Sequence, residues 1–327
     1  MNVARLFCAA LLSLTAASAA AAADDKIIVG PVSIGSPIQW PLWITIEKGF
    51  AAREGITLDP VAAGSNSNVL QQTAAGALHI GLPVAGDAFR AIDKGAPLKM
   101  IRTDIEHAPH TVVAKPAIKS FADLKGKVIS IGTVQGLDRI YLDRKLKSAG
   151  LAAGQYDVLG AGATANRFSA LMAGAIDAAA LSAPLNFEAV AKGFNDLGSV
   201  ELAGEHFPYS GFVAYGPWLE QNRPLVVRYL KAYARAVSWF NDRRNKADAA
   251  AVLAKWGRGR LADAEQTYDL YVRDRYFLPQ GTMTREELIR YVDLLLEAKW
   301  IERAGDPARF VDLSLAEAAN RELAPER

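Results

Sequence analysis

The stretch GSNSNVLQQTAAGALHIGLPVAGDAFRAIDKG, Gly64 to Gly95, is written again 98 residues later as GATANRFSALMAGAIDAAALSAPLNFEAVAKG, Gly162 to Gly193. Ten of the 32 aligned positions are identical and no gap is needed. Gly64/Gly162, Asn68/Asn166, Gly76/Gly174 and Gly95/Gly193 are among them. A shared taste for Ala and Gly does not by itself put the two asparagines and the closing Lys-Gly in register. In each copy a polar turn precedes an apolar-periodic run, which marks a helix start, and Gly76 or Gly174 stands where that helix would end. The runs 77–82 and 175–181 then read as buried strands, each followed by a turn and a second helix. A tandem pair of such units predicts two similar lobes facing each other.

The correspondence extends backwards from the repeat. A strand at 27–30, a loop at 31–41, a helix at 42–50 and a strand at 56–61 precede the first copy. A strand at 128–132, a turn at 133–138, a helix from Arg139 to Ala149 and a strand at 156–159 precede the second. Further strands read at 97–101 and 110–114, with one short helix in the connection 115–127. This alternation argues an α/β fold, with mostly parallel sheets covered by helices on both faces.

A strand at 209–215 carries the chain out of the second lobe, and helices follow at 224–240, 246–256, 262–275, 284–299 and 314–322. The first has apolar residues at 225, 226, 229, 230, 233, 236, 237 and 240, a helical period. The tail's aromatics, from Tyr229 to Trp300, read as packing residues. Crossings near 112–115 and 211–215 divide the chain into lobe 1, residues 24–113 plus 213–327, and lobe 2, residues 114–212. Two short crossing strands make a hinge, because a few backbone rotations there move a lobe as a body.

With 327 residues, 51% hydrophobic and 22% charged, the chain can bury a sizeable core. A formal net charge of +2 with no basic run argues against a nucleic-acid partner. Residues 1–23 read as a secretory signal peptide: Arg5, then an apolar stretch, then Ala-x-Ala cleavage options. Cys8, the single cysteine, lies inside it, so the exported chain has no disulfide, thiol nucleophile or cysteine-based metal site.

In this order, EKGFAAREGI (47–56), AAGALHIG (74–81), ADLKGKVISI (122–131), KSAGL (147–151) and AGAIDAA (173–179) resemble the nitrate/sulfonate/taurine family of periplasmic substrate-binding proteins of ABC transporters. The resemblance spans essentially the whole exported chain. It implies the two-lobed type II periplasmic binding protein fold with a two-strand hinge. It also implies a non-enzymatic monomer in the periplasm, delivering its ligand to an inner-membrane permease with its ATPase. His79 stands where that family's motif has an acidic residue, which Asp177 keeps in the second copy; no role is assigned to it. A related family, the pyrimidine synthase of thiamin biosynthesis, carries a Cys-rich segment that this chain lacks.

In parallel sheets the ligand crevice lies off the carboxyl ends of the strands. The loops there are rich in Gly, Ser, Thr, Asn and Gln. Free N–H groups at helix starts attract anions, which fits a small oxyanion group such as a sulfonate or carboxylate, and the family resemblance implies a sulfonate, taurine or nitrate. The alternative is an exported enzyme or sensor on the same scaffold, or a binder of a pyrimidine or aromatic carboxylate. Gln39, Trp40, Ser65, Asn66 and Pro83 are the candidate contacts from the first lobe, with Thr133, Gln135, Gly136, Ser182 and Tyr209 from the second. Arg139 and Arg167 sit in first helical turns and would pair with an anion, whereas Asp87 and Asp138, if they face the cleft, would favour an amine. Catalytic motifs are missing: no His-x-x-x-His, Gly-x-Ser-x-Gly or phosphate loop is present. His107 and His110 beside Glu106 read as crossing-strand surface rather than a metal site. No cofactor and no metal are expected.

Overall fold

The computed structural model describes residues 25–201, 207–302 and 305–323; the export signal expected in 1–23 lies outside them. The chain opens with β1 (Asp25–Gly30), α1 (Trp40–Glu47), α2 (Phe50–Arg53) and β2 (Ile56–Pro60). α3 (Asn66–Ala74), β3 (Ile80–Gly81), α4 (Ala85–Asp93) and β4 (Leu98–Thr103) follow. The second half of the repeat builds β5 (Thr111–Ala114), β6 (Val128–Ile131), α5 (Leu137–Ser148), β7 (Asp157–Gly160), α6 (Thr164–Met172), β8 (Ala178–Leu181), α7 (Leu185–Ala191) and β9 (Asn195–Ser199). β10 (Gly211–Tyr215) then leads into α8 (Gly216–Asn241), α9 (Lys246–Gly257), α10 (Leu261–Arg273), α11 (Arg285–Glu297) and α12 (Ser314–Leu323).

The strands form two five-stranded sheets, ordered β2-β1-β3-β10-β4 and β7-β6-β8-β5-β9. The two orders are the same once β6 to β9 are matched to β1 to β4. In each sheet four strands run one way, and the reversed one, β10 or β5, is inserted between the third and fourth. Both reversed strands are the first that the chain makes after passing from one sheet to the other. The sheets are therefore mixed, with one strand in each opposed to an otherwise parallel set.

All four residues of β5 pair in the second sheet, and all of β10 in the first. The boundary expected at 113/114 thus falls inside a strand of lobe 2, and the crossing expected at 211–215 is a strand of lobe 1. A strand's ladder bonds bind it to its sheet, so the passages lie just outside, between β4 and β5 and between β9 and β10.

The repeat is visible atom by atom. Gly64, Gly76 and Gly95 have φ of 82°, 75° and 95°, and their partners Gly162, Gly174 and Gly193 have 65°, 73° and 91°. Only glycine adopts these values without strain. Asn68 Nδ2 donates to Ala63 O at 2.9 Å, and Asn166 Nδ2 to Ala161 O at 3.3 Å. The shared asparagines thus fasten the same turn in both lobes. The repeat's strands are shorter than expected, because Ala77 and Leu78 donate to Gln72 O and wrap the end of α3 before β3 begins.

The helical tail belongs to the first sheet. Trp43 stacks on Trp256 at 4.7 Å, Lys231 pairs with Glu54 at 2.8 Å, and Arg228 donates to Glu54 O at 2.7 Å. Arg102, fully buried on β4, sends its guanidinium to the carbonyls of Leu278, Pro279 and Gln280. α8 starts earlier than the periodicity suggested. Asn222 leaves helical geometry two residues ahead of Pro224, whose ring and missing N–H interrupt the helix ladder, and the helix resumes beyond it. Among the described residues no helix is long and apolar enough to cross a membrane.

Candidate ligand-binding cleft

Asp87 lies in the first turn of α4, just past the carboxyl end of β3; Asp138 lies in the first turn of α5, just past β6. They come from opposite lobes, and only 6% and 7% of their surfaces are exposed. The two crossings supply His110 and Tyr209, and α6 supplies Arg167, all buried. His110 Nδ1 stands 3.5 Å from Asp138 Oδ1, and the His110 and Tyr209 rings meet edge-on at 5.6 Å. Ser182 Oγ and Thr164 Oγ1 share a 3.0 Å hydrogen bond, and Thr164 Oγ1 also accepts from Arg167 Nη2 at 2.9 Å. These residues make one polar cluster drawn from both lobes and both crossings.

Burial pushes the Asp87 carboxyl up to about 6; Arg90 at 3.6 Å opposes that rise and the Asp138 charge across the cleft adds to it. Burial acts on Asp138 in the same direction, but His110, Arg167 and Tyr209 outweigh it and hold that carboxyl below its usual range. The Tyr209 phenol is raised, first by burial and then by the neighbouring Asp138. Asp87 Oδ1 has no hydrogen-bond partner, and Asp138 Oδ1 and His110 Nδ1 face only one another, across the long 3.5 Å contact. Buried polar atoms are normally satisfied, so these under-bonded groups mark the cluster as the candidate site.

Of the residues expected from the sequence, Tyr209 and Ser182 stand in this cluster. Gln135 lies at its edge, where its Oε1 accepts from Arg90 Nη1 at 3.2 Å and so links the lobes. Gly136 is the N-cap of α5, and Thr133 Oγ1 accepts from Gln135 N at 3.3 Å within the same loop. Ser65 caps α3 through Asn68 N, Asn66 Oδ1 accepts from Val84 N at 3.2 Å, and Pro83 O accepts from Gly211 N. Their polar groups are thus engaged in holding the loops. Gln39 is buried with its Oε1 unpaired.

Trp40 is placed elsewhere. It is wholly buried, donates Nε1 to Ala249 O at 2.9 Å, and packs against Phe240, Tyr268 and Tyr271. It anchors the tail to α1 and has no surface for a ligand.

His110 corrects the sequence reading in the other direction. Instead of crossing-strand surface it is 4% exposed, at the centre of the cluster. Arg139 is held by Asp143 at 2.7 Å rather than offered to the cleft. All three nitrogens of Arg167 are engaged, by Ala180 O, Gly162 O and Thr164 Oγ1. Besides Tyr209, Ser182 and Arg167, the legible signal for the cluster was an acid in a first helical turn in both lobes, Asp87 and Asp138. Beside it, a groove of about 700 Å³ runs between α5 and α11, walled by Arg139, Arg144, Lys147, Leu294 and Trp300. Arg90 lies over the Trp300 ring at 5.4 Å.

Among solved structures, the chain is similar to the alkanesulfonate-binding protein SsuA of Xanthomonas axonopodis pv. citri. That likeness has a TM-score of 0.74 at 18% identity, covering 89% of this chain and 99% of that one. It is also similar to the periplasmic nitrate-binding protein NrtA of Synechocystis PCC 6803, with a TM-score of 0.71 at 14% identity over 91% and 89% of the two chains. At these identities the likeness establishes the two-lobed fold of such proteins. A curated relative, the 4-amino-5-hydroxymethyl-2-methylpyrimidine phosphate synthase of Uromyces fabae, is 28% identical over 158 residues, 47% of this chain. The matched stretch spans only 45% of that synthase. The family model described as NMT1/THI5 like matches residues 37–247, from the loop before α1 through both lobes and the cluster into α9. With well over half of its length inside that match, the chain belongs to the NMT1/THI5-like family.

Proposed function

We propose that this chain is the exported solute-binding component of an ABC importer, closing its lobes over one small polar solute in the periplasm and handing it to an inner-membrane permease driven by an ATPase. The observation that supports this best is the make-up of the buried cluster. Asp87 comes from one lobe, Asp138 and Arg167 from the other, His110 and Tyr209 from the two crossings. A site assembled this way is complete in one relative orientation of the lobes, so binding and closure are a single equilibrium. The hinge is then the pair of passages flanking β5 and β10, and the protein acts as a monomer.

A thermal-shift panel tests the reading, with sulfonates, taurine, nitrate, carboxylates and pyrimidines as its arms. The sulfonate and nitrate arms follow the sequence expectation and the solutes named for the similar solved proteins. A true solute at one hundred times its Kd stabilises the folded chain by about 2.7 kcal/mol. It also reduces the radius of gyration in solution scattering and is recovered unchanged. Chemical conversion of a stabilising pyrimidine would instead make the chain an enzyme, the reading that the synthase relative favours.

A further inference from the structure

We infer that the cleft grips the cationic, N–H-donating end of its solute, an ammonium, amidinium or protonated amino-heterocycle held between Asp87 and Asp138. This deepens the solute-binding reading above and rests on it.

Charge placement is the first argument. The two carboxylates come from opposite lobes, and closure brings like charges together in a water-poor space. That is costly unless a cation sits between them. Unmet hydrogen-bonding capacity is the second argument. Asp87 Oδ1 lies 3.6 Å from Arg90, outside hydrogen-bond reach, and Asp138 Oδ1 meets only His110 Nδ1, at a long 3.5 Å. Ser210 Oγ, on a residue 4% exposed, has no partner.

The positions where an anion would be expected are closed to it. The first turns of α4 and α5 already carry Asp87 and Asp138. The start of α3 is capped by Ser65. Arg167 is committed to Ala180 O, Gly162 O and Thr164 Oγ1, and Arg139 to Asp143. Buried acceptors are left over here, and a ligand that brings donors satisfies them.

The test compares putrescine, benzamidine and 4-aminopyrimidine with butanediol, benzamide and pyrimidine, alongside methanesulfonate and nitrate, by thermal shift and calorimetry on the exported chain. At least one amino compound should raise the melting temperature while its amine-free match does not. Asp87→Asn and Asp138→Asn should each weaken that compound at least tenfold. A pH series provides a second readout that needs no variant. The charges and phenols facing Asp87 are Arg90 on its own helix, Asp138 on α5, Tyr209 on a crossing and Tyr291 on α11. For putrescine and benzamidine, which stay cationic throughout, the competent fraction, and with it the affinity, falls roughly tenfold between pH 7 and pH 5 with the Asp87 carboxyl near 6. Asp87→Asn flattens this. If sulfonates or nitrate stabilise the chain and no amino compound does, the amine inference is overturned and the solute-binding reading stands. If no compound binds and the lobes never close, both fall.

Discussion

His79 and Asp177 occupy the same place in the two lobes and make the same pair of bonds. His79 Nδ1 accepts from Ile28 N at 3.2 Å, and its own backbone N–H donates to Ile28 O at 3.0 Å. Asp177 Oδ2 accepts from Val128 N at 3.0 Å, and its backbone N–H donates to Val128 O at 2.9 Å. The unassigned histidine of the motif is therefore a working substitute for the acid, clipping the repeat's third strand to the first strand of its sheet. It also stacks on Trp218, at 4.6 Å and 11°.

This clip requires Nδ1 without a proton. Burial first, then Lys26, lowers the His79 pKa, so its contribution to stability is present above about 6.5 and is lost as the pH falls through the folded value. An aspartate in its place stays an acceptor at those pH values. Urea midpoints of wild type and His79→Asp, measured from pH 7.5 to 5, should converge or cross as the pH falls, because only the histidine is titrated. Parallel curves would refute the role.

The opposite sign is expected at the crossings. His107 Nδ1 stands 3.4 Å from Glu201 Oε2, while Glu201 Oε1 accepts from Ala108 N at 2.5 Å, so one carboxylate ties the two passages. The hydrogen bond to Glu201 is the main reason that the His107 pKa is raised. Its stabilisation is full below about 6.5 and lost as the pH rises through the folded value. Removing the pair with His107→Gln should cost about 0.5–1 kcal/mol at pH 5.5 and less at pH 8.5, read from melting curves.

Trp40→Ala should destabilise the chain by about 3–5 kcal/mol, since the tail loses its anchor on α1. Solute affinity of the folded protein should stay within a few-fold of wild type. A large loss of affinity with little change in the denaturation midpoint would put Trp40 back in the cleft.

Gly281→Ala combines two faults. Gly281 has φ of 57°, and a Cβ there would collide with the guanidinium of Arg102. Displacing a fully buried cation from its three carbonyls leaves it unpaired, so a loss of about 3 kcal/mol or more is expected. Chemical denaturation measures it, and a neutral result would mean that the 278–281 loop does not hold Arg102.

The helices were legible because their signals are local. α11, for instance, begins with a capping box between Thr284 and Glu287, and its apolar period needs no tertiary information. The duplicated glycines announced the two lobes for the same reason. β9 was missed, since NDLGS has no alternation and becomes a strand only by pairing with β5. The fate of Trp40 and His110 depended on which distant segments would cover them, and nothing near either residue in the sequence encodes that. Asp87 and Asp138 could be marked but not oriented until the starts of α4 and α5 were seen to converge.

The insertion of β10 between β3 and β4 also sets an order of assembly. β5 to β9 are contiguous, so the second lobe has all its strands once residue 199 has emerged. The first lobe has a vacancy until residues 211–215 arrive, and before then β4 has no strand beside it. The half of the molecule that is threaded first is therefore finished last. Until then its open sheet edge is the surface on which a chaperone would act.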